Sequence, residues 1–106
     1  MSRIILSRYP TGQEKLVVGW DHPCHGAFWQ EFNQEPADGV WADDWQEVLR
    51  ERGFFQGIPL EAFRDTLPED LEPLVTDGVM RLLAEHEADP DSGMRPSIDL
   101  TDLSTA

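Results

Sequence analysis

Residues 15–34, KLVVGWDHPCHGAFWQEFNQ, decide the architecture of this chain. The first six, Lys15 to Trp20, are apolar and β-branched and read as a strand. After Asp21 the hydrophobic period changes. Asp is a good N-cap, and Pro23 is tolerated only in a first helical turn. Phe28 and Phe32 stand four apart with Trp29 beside Phe28, a spacing that sets three aromatics on one broad helix face. The expectation is a short helix over residues 22–34 packed on the strand. Gly26 would weaken that helix and permit close approach to a strand.

Towards the N-terminus, residues 3–8, RIILSR, read as a second strand. Pro10, Thr11 and Gly12 supply the turn that joins the two strands into a hairpin. Towards the C-terminus, residues 36–39, PADG, are a turn, and Val40 to Ala42 are a candidate third strand. Asp44 and Glu47 match a capping box, Trp45, Val48 and Leu49 follow at i, i+3 and i+4, and Gly53 fits a C-cap. A helix over 44–52 is expected there. After an apolar connector, FFQGIPL at 54–60, Pro59 opens a short helical turn through Phe63 that Leu67 and Pro68 end.

From Asp70 the periodicity is clearest. Leu71, Leu74, Val75, Val79, Leu82 and Leu83 fall at helical spacing with Gly78 on the same face, which predicts a helix of about 17 residues capped by Asp70, with Pro73 in its first turn. Residues 88–106 have no periodicity and read as a mobile tail, with Ile98, Leu100 and Leu103 leaving a docked strand as the alternative. The expected fold is α+β: an N-terminal β-hairpin, with a third strand as an option, packed against three to four helices. One domain is expected over residues 1–88 and a mobile acidic tail over 89–106.

The chain has 106 residues, 40% of them apolar, with four Trp and five Phe, enough for one core. Its formal net charge is -13, from 21 acids and eight bases. Residues 1–20 are net +2, and residues 21–106 carry 20 acids against five bases, net -15. So few bases cannot neutralise a phosphate backbone, so direct nucleic-acid binding is excluded, and an anionic membrane would repel the chain. A basic protein or a nucleic-acid-binding complex would attract it. A single cysteine, Cys24, forbids an intramolecular disulfide and fits a reducing cytosol. The N-terminus lacks a signal-peptide apolar core, and no run approaches the ~20 apolar residues of a membrane helix. A cytoplasmic location is expected.

The run Val17, Val18, Gly19, Trp20, Asp21, then Pro23 and the pair Phe28 and Trp29, resembles the start of small uncharacterised bacterial proteins of plasmids and integrative elements. The resemblance covers less than half of the chain. It implies a hairpin–helix start and a mobile-element setting, and it transfers no activity.

Asp21, His22, Cys24 and His25 are the densest cluster of ligating side chains. A helix N-terminus there would lower the Cys24 thiol pKa with help from His22 or His25, the starting point for a small metal- or thiol-dependent enzyme or sensor. The spacing does not suit a zinc site: there is no second Cys, and His86 is the sole further His. The segment from Glu87 to Gly93 fails as a calcium loop, since its sixth position is Ser92 and no Glu follows at the twelfth. Walker, dinucleotide, HExxH and Gly-x-Ser-x-Gly signatures do not occur. No cofactor, metal or catalytic residue is expected.

The acids fall in three clusters. Glu35, Asp38, Asp43, Asp44 and Glu47 form the first, with Trp41 and Trp45 beside them as candidate interface anchors. Glu61, Asp65, Glu69, Asp70 and Glu72 form the second, and Glu85, Glu87, Asp89 and Asp91, continued by Asp99 and Asp102, the third. Helix capping accounts for Asp43, Asp44, Glu69 and Asp70. It does not account for a single Lys in the whole chain. Surfaces that need only solubility intersperse both signs. The first two clusters without Glu72, together with both Trp, are therefore the expected partner-binding residues. The expected function is that of a non-enzymatic acidic protein-binding module, an inhibitor of the DNA-mimic, anti-CRISPR-like kind from a mobile element or phage. A third reading is a structural protein that self-associates through the 71–83 stripe.

Overall fold

A computed structural model describes residues 2–34, 48–92 and 96–101. Strands β1 (Ile4–Arg8), β2 (Glu14–Asp21), β3 (Gly26–Phe32), β4 (Val48–Arg52) and β5 (Ile98–Asp99) form one sheet in the order β4-β3-β2-β1-β5. The first four pair antiparallel to their neighbours, and β5 runs parallel to β1. Two helices, α1 (Leu60–Phe63) and α2 (Asp77–Ala88), and two 3-10 turns at Arg64–Thr66 and Glu72–Leu74 lie between β4 and β5.

The hairpin of β1 and β2 matches the sequence. Tyr9 N–H donates to Gln13 O at 2.8 Å and Gly12, at φ 93°, closes the turn. Among the described residues two short helices form rather than three or four, and the sheet dominates. Residues 22–34 are a turn followed by β3, because His25 takes φ 51° and ends the local chain reversal in a conformation no helix start uses. Phe28 and Trp29 then point to opposite faces of the sheet, and both are buried. Residues 48–52, expected as the end of a helix, are the edge strand β4 on β3. The long helix expected from Asp70 begins only at Asp77: Pro73 sits in a 3-10 turn, and Thr76 is the N-cap, its Oγ1 accepting from Val79 N–H at 3.3 Å. The short helical turn expected after Pro59 is α1. The paired alternative for the C-terminal segment is adopted at Ile98 and Asp99, where Ile98 N–H donates to Arg3 O and Leu100 N–H to Ile5 O. The candidate third strand at 40–42 lies outside the described residues.

The core lies between one sheet face and the helical segment. Ile4, Leu16, Val18, Trp20, Ala27 and Trp29 face Phe63, Leu67, Leu71, Val75, Val79 and Leu83. Full burial of each large member stabilises by roughly 1.5–3 kcal/mol. Trp29 keeps its indole N–H satisfied by donating to Thr66 Oγ1 at 3.0 Å, and that hydroxyl donates to Phe63 O. Among the described residues no helix is long and apolar enough to cross a membrane.

Candidate interaction surface

The segment 60–92 crosses one face of the sheet and turns its apolar side chains inward. Its charged residues are thereby forced outward. It carries ten acids against two bases, and of the ten only Asp89 is as much as half-buried. Glu61, Asp65, Glu69 and Asp70, four of the expected partner-binding residues, are all exposed on this layer. Glu72, Asp77, Glu85, Glu87 and Asp91 extend it.

Two of these carboxylates are taken up within the fold. Asp77 accepts from Arg64 at 2.7 Å. Asp70 accepts from Arg50 at 2.8 and 3.3 Å, and the same guanidinium holds Glu31 at 2.6 and 3.1 Å. The Arg50 hydrogen bonds hold the Asp70 carboxyl below its ordinary range, and the two carboxylates push the Arg50 guanidinium further up. Glu31 is buried in β3, so this pair ties the layer to the sheet. Asp70 is therefore a structural tether as well as a surface charge. Among the described residues no Lys or Arg pairs with Glu61, Asp65, Glu69, Glu72, Glu85 or Glu87. Six like charges on one layer repel each other, and an approaching cation relieves the repulsion.

The other half of the expected site, Glu35, Asp38, Trp41, Asp43, Asp44, Trp45 and Glu47, lies outside the described residues. Trp20 and Trp29 are core residues.

The Asp21–His25 cluster takes a form that removes the premise of thiol chemistry. It is the turn between β2 and β3, not a helix start, so Cys24 does not sit at a helix N-terminus. Partial burial raises the Cys24 thiol pKa, and the Asp21 carboxylate that accepts its hydrogen bond raises it further, the opposite of an activated nucleophile. His22 is also engaged. Its Nε2 lies 2.6 Å from Asp89 O and 3.0 Å from Ser92 Oγ. A carbonyl only accepts, so Nε2 carries the proton and donates. Ser92 Oγ in turn donates to His86 O at 2.9 Å. The side chain of His22 thus staples the β2–β3 turn to the end of α2. Among the described residues no group of three or more His, Cys, Asp or Glu is placed to hold a metal ion.

Most of the 71–83 stripe is likewise committed. Leu71, Val75, Val79 and Leu83 are buried against the sheet, whereas Leu74 is exposed and Leu82 half-buried.

Two features escaped the sequence reading. One is the Glu31–Arg50–Asp70 tether, which joins residues far apart in the chain and leaves no local signal. The other is Phe55, expected as part of an apolar connector but 69% exposed, with φ 64° and its ring 4.2 Å from that of Phe54. Gly53 and Gly57, which bracket the Phe pair, were its only sequence cue. Comparison of the chain with family models, with curated proteins and with solved structures gives no match.

Proposed function

We propose that this chain is a non-enzymatic protein-binding module whose acidic helical layer docks on a basic surface built for nucleic acid. One observation carries the reading: residues 60–92 present nine exposed carboxylates against two guanidiniums on the outer side of an ordered layer. Carboxylates at that density offer a basic groove the electrostatic features of a phosphate backbone, and opposite fields speed the encounter. The resemblance of the first forty residues to mobile-element proteins supports an inhibitor that blocks a nucleic-acid-binding complex of the host. The reading also accounts for the burial of the apolar stripe and for the engaged His22, since neither is needed for charge-driven docking.

The test uses the immobilised chain and a nuclease-treated bacterial lysate. Nucleic-acid-binding proteins should be retained at about 0.1 M salt, released towards about 1 M, and displaced by added duplex DNA. The triple variant Glu61→Gln, Asp65→Asn, Glu69→Gln should retain much less. Retention that is indifferent to salt and to these substitutions rules the reading out.

A further inference from the structure

A groove of about 300 Å³ opens between the first turns of α2 and the residue after β5. Val79, buried, forms its floor, and the half-buried Leu82 and Leu100 form its sides. Thr76 and Gly78 stand at one end, and the exposed Arg81 and Glu85 form the rim. This is an apolar notch in a layer whose outer side is otherwise dense in carboxylates. Glu85 lies one helical turn beyond Arg81 and is the acid at the rim, while Asp77, one turn before Arg81, is already held by Arg64.

We propose that this groove is the anchor pocket of the acidic layer, and that it takes one aliphatic side chain from a partner segment in which that residue is flanked by Lys or Arg. The proposal rests on the docking function above and adds what that function lacks, a place where register is fixed. Charge attraction between extended surfaces is tolerant of sliding and rotation. An aliphatic side chain seated between Leu82 and Leu100 is not, and it draws its energy from apolar area removed from water. The occupant is set by complementarity: the pocket asks for an apolar group and its surroundings ask for cations. Arg81 is the one element that opposes such a partner.

Gly78 provides a clean test. A Cβ added there meets nothing closer than Thr76 Oγ1 at 3.7 Å, so the backbone accepts a side chain at a position that lines the groove, and a leucine there should obstruct it. Leucine also favours a helix more than glycine does, so Gly78→Leu should keep or raise the thermal midpoint. The probes are three short fluorescein-labelled peptides. The first alternates lysine pairs with single leucines, the second replaces each leucine by serine, and the third replaces each lysine by glutamine. Fluorescence anisotropy should show the leucine peptide binding the native chain about tenfold more tightly than the serine peptide, the gain expected for part of one leucine side chain buried. Gly78→Leu should abolish that difference and leave the serine peptide unchanged. Arg81→Gln should tighten both lysine peptides. Equal binding of the leucine and serine peptides to the native chain, or a leucine preference that survives in Gly78→Leu, overturns the anchor. Failure of the docking function reads differently: the serine peptide would bind no better than the glutamine peptide, or its binding would not weaken with salt.

Discussion

Gly26→Ala is a substitution on which the two readings of residues 22–34 give opposite signs. In a helix, alanine would replace glycine with a gain of about 0.5–1 kcal/mol. In the sheet, Gly26 opens β3 and faces backbone. A Cβ there would lie 2.3 Å from Gly57 Cα, 2.5 Å from Gly57 C and 2.5 Å from Ile58 N. None of these atoms belongs to a flexible side chain, so the loop before Ile58 must move away. That loop is held by the bridge between Ala27 and Ile58, in which Ala27 N–H donates to Ile58 O at 2.8 Å and Ile58 N–H to Ala27 O at 2.9 Å. Losing two backbone bonds costs about 0.5–1.5 kcal/mol each. Ile58, buried in the core, would be partly re-exposed at a further cost of up to roughly 2 kcal/mol, part of the value for full exposure. The expected loss is up to about 5 kcal/mol, a large part of the ~5–15 kcal/mol that holds a domain of this kind together. Urea unfolding followed by tryptophan fluorescence reads it directly. Stability that is unchanged or higher in Gly26→Ala would mean that the packing of β3 against the loop before α1 is not as described, and the sheet argument would fall.

Two other predictions concern titration. Hydrogen bonds from Thr101, and then from Arg8, hold the Asp99 carboxyl below its ordinary range. Its folded pKa is therefore below the unfolded one, and the stability it contributes is present above the ordinary carboxylate pKa and lost as pH falls through the folded value. Asp99→Asn should lower the urea midpoint at pH 7, and the gap to the native chain should close as pH drops below about 4; a gap independent of pH contradicts the assignment. Cys24, with its thiol pKa raised by burial and by Asp21, should react with iodoacetamide at about pH 8 more slowly than cysteine in a short unstructured peptide, and Asp21→Asn should speed it. Faster alkylation than the peptide would restore the case for thiol chemistry.

Much of the sheet was written locally, and the misreadings have identifiable causes. Ile4–Arg8 and Glu14–Asp21 carry β-branched runs separated by turn residues, and they pair as that pattern requires. In β3, Ala27, Phe28, Trp29 and Gln30 are all buried, so the polar alternation that marks a half-exposed strand is missing. A continuous apolar run fits a helix and a buried strand equally, and Phe28 with Phe32 tipped the reading the wrong way. β4 has the reverse problem: Val48 to Arg52 are all exposed, so nothing in their hydropathy reports the partner strand. The apolar stripe from Leu71 to Leu83 was legible from its spacing, but Pro73 and Thr76 divide it into a turn and a helix. The acidic character of 61–72 was legible from composition. That Asp70 is spent on Arg50 was not, because the contact joins a strand to a loop twenty residues away.

The layering of charge has one further physical outcome. The five strands carry four bases against five acids, whereas residues 60–92, stacked on one side of them, are net -8. Among the described residues the negative charge is therefore displaced to one side of the sheet, and these residues contribute an electric moment directed across it. Near a positively charged body this moment produces a torque that swings the helical side forward before any atoms touch. In the proposed docking, such a moment would shorten the rotational search for this side.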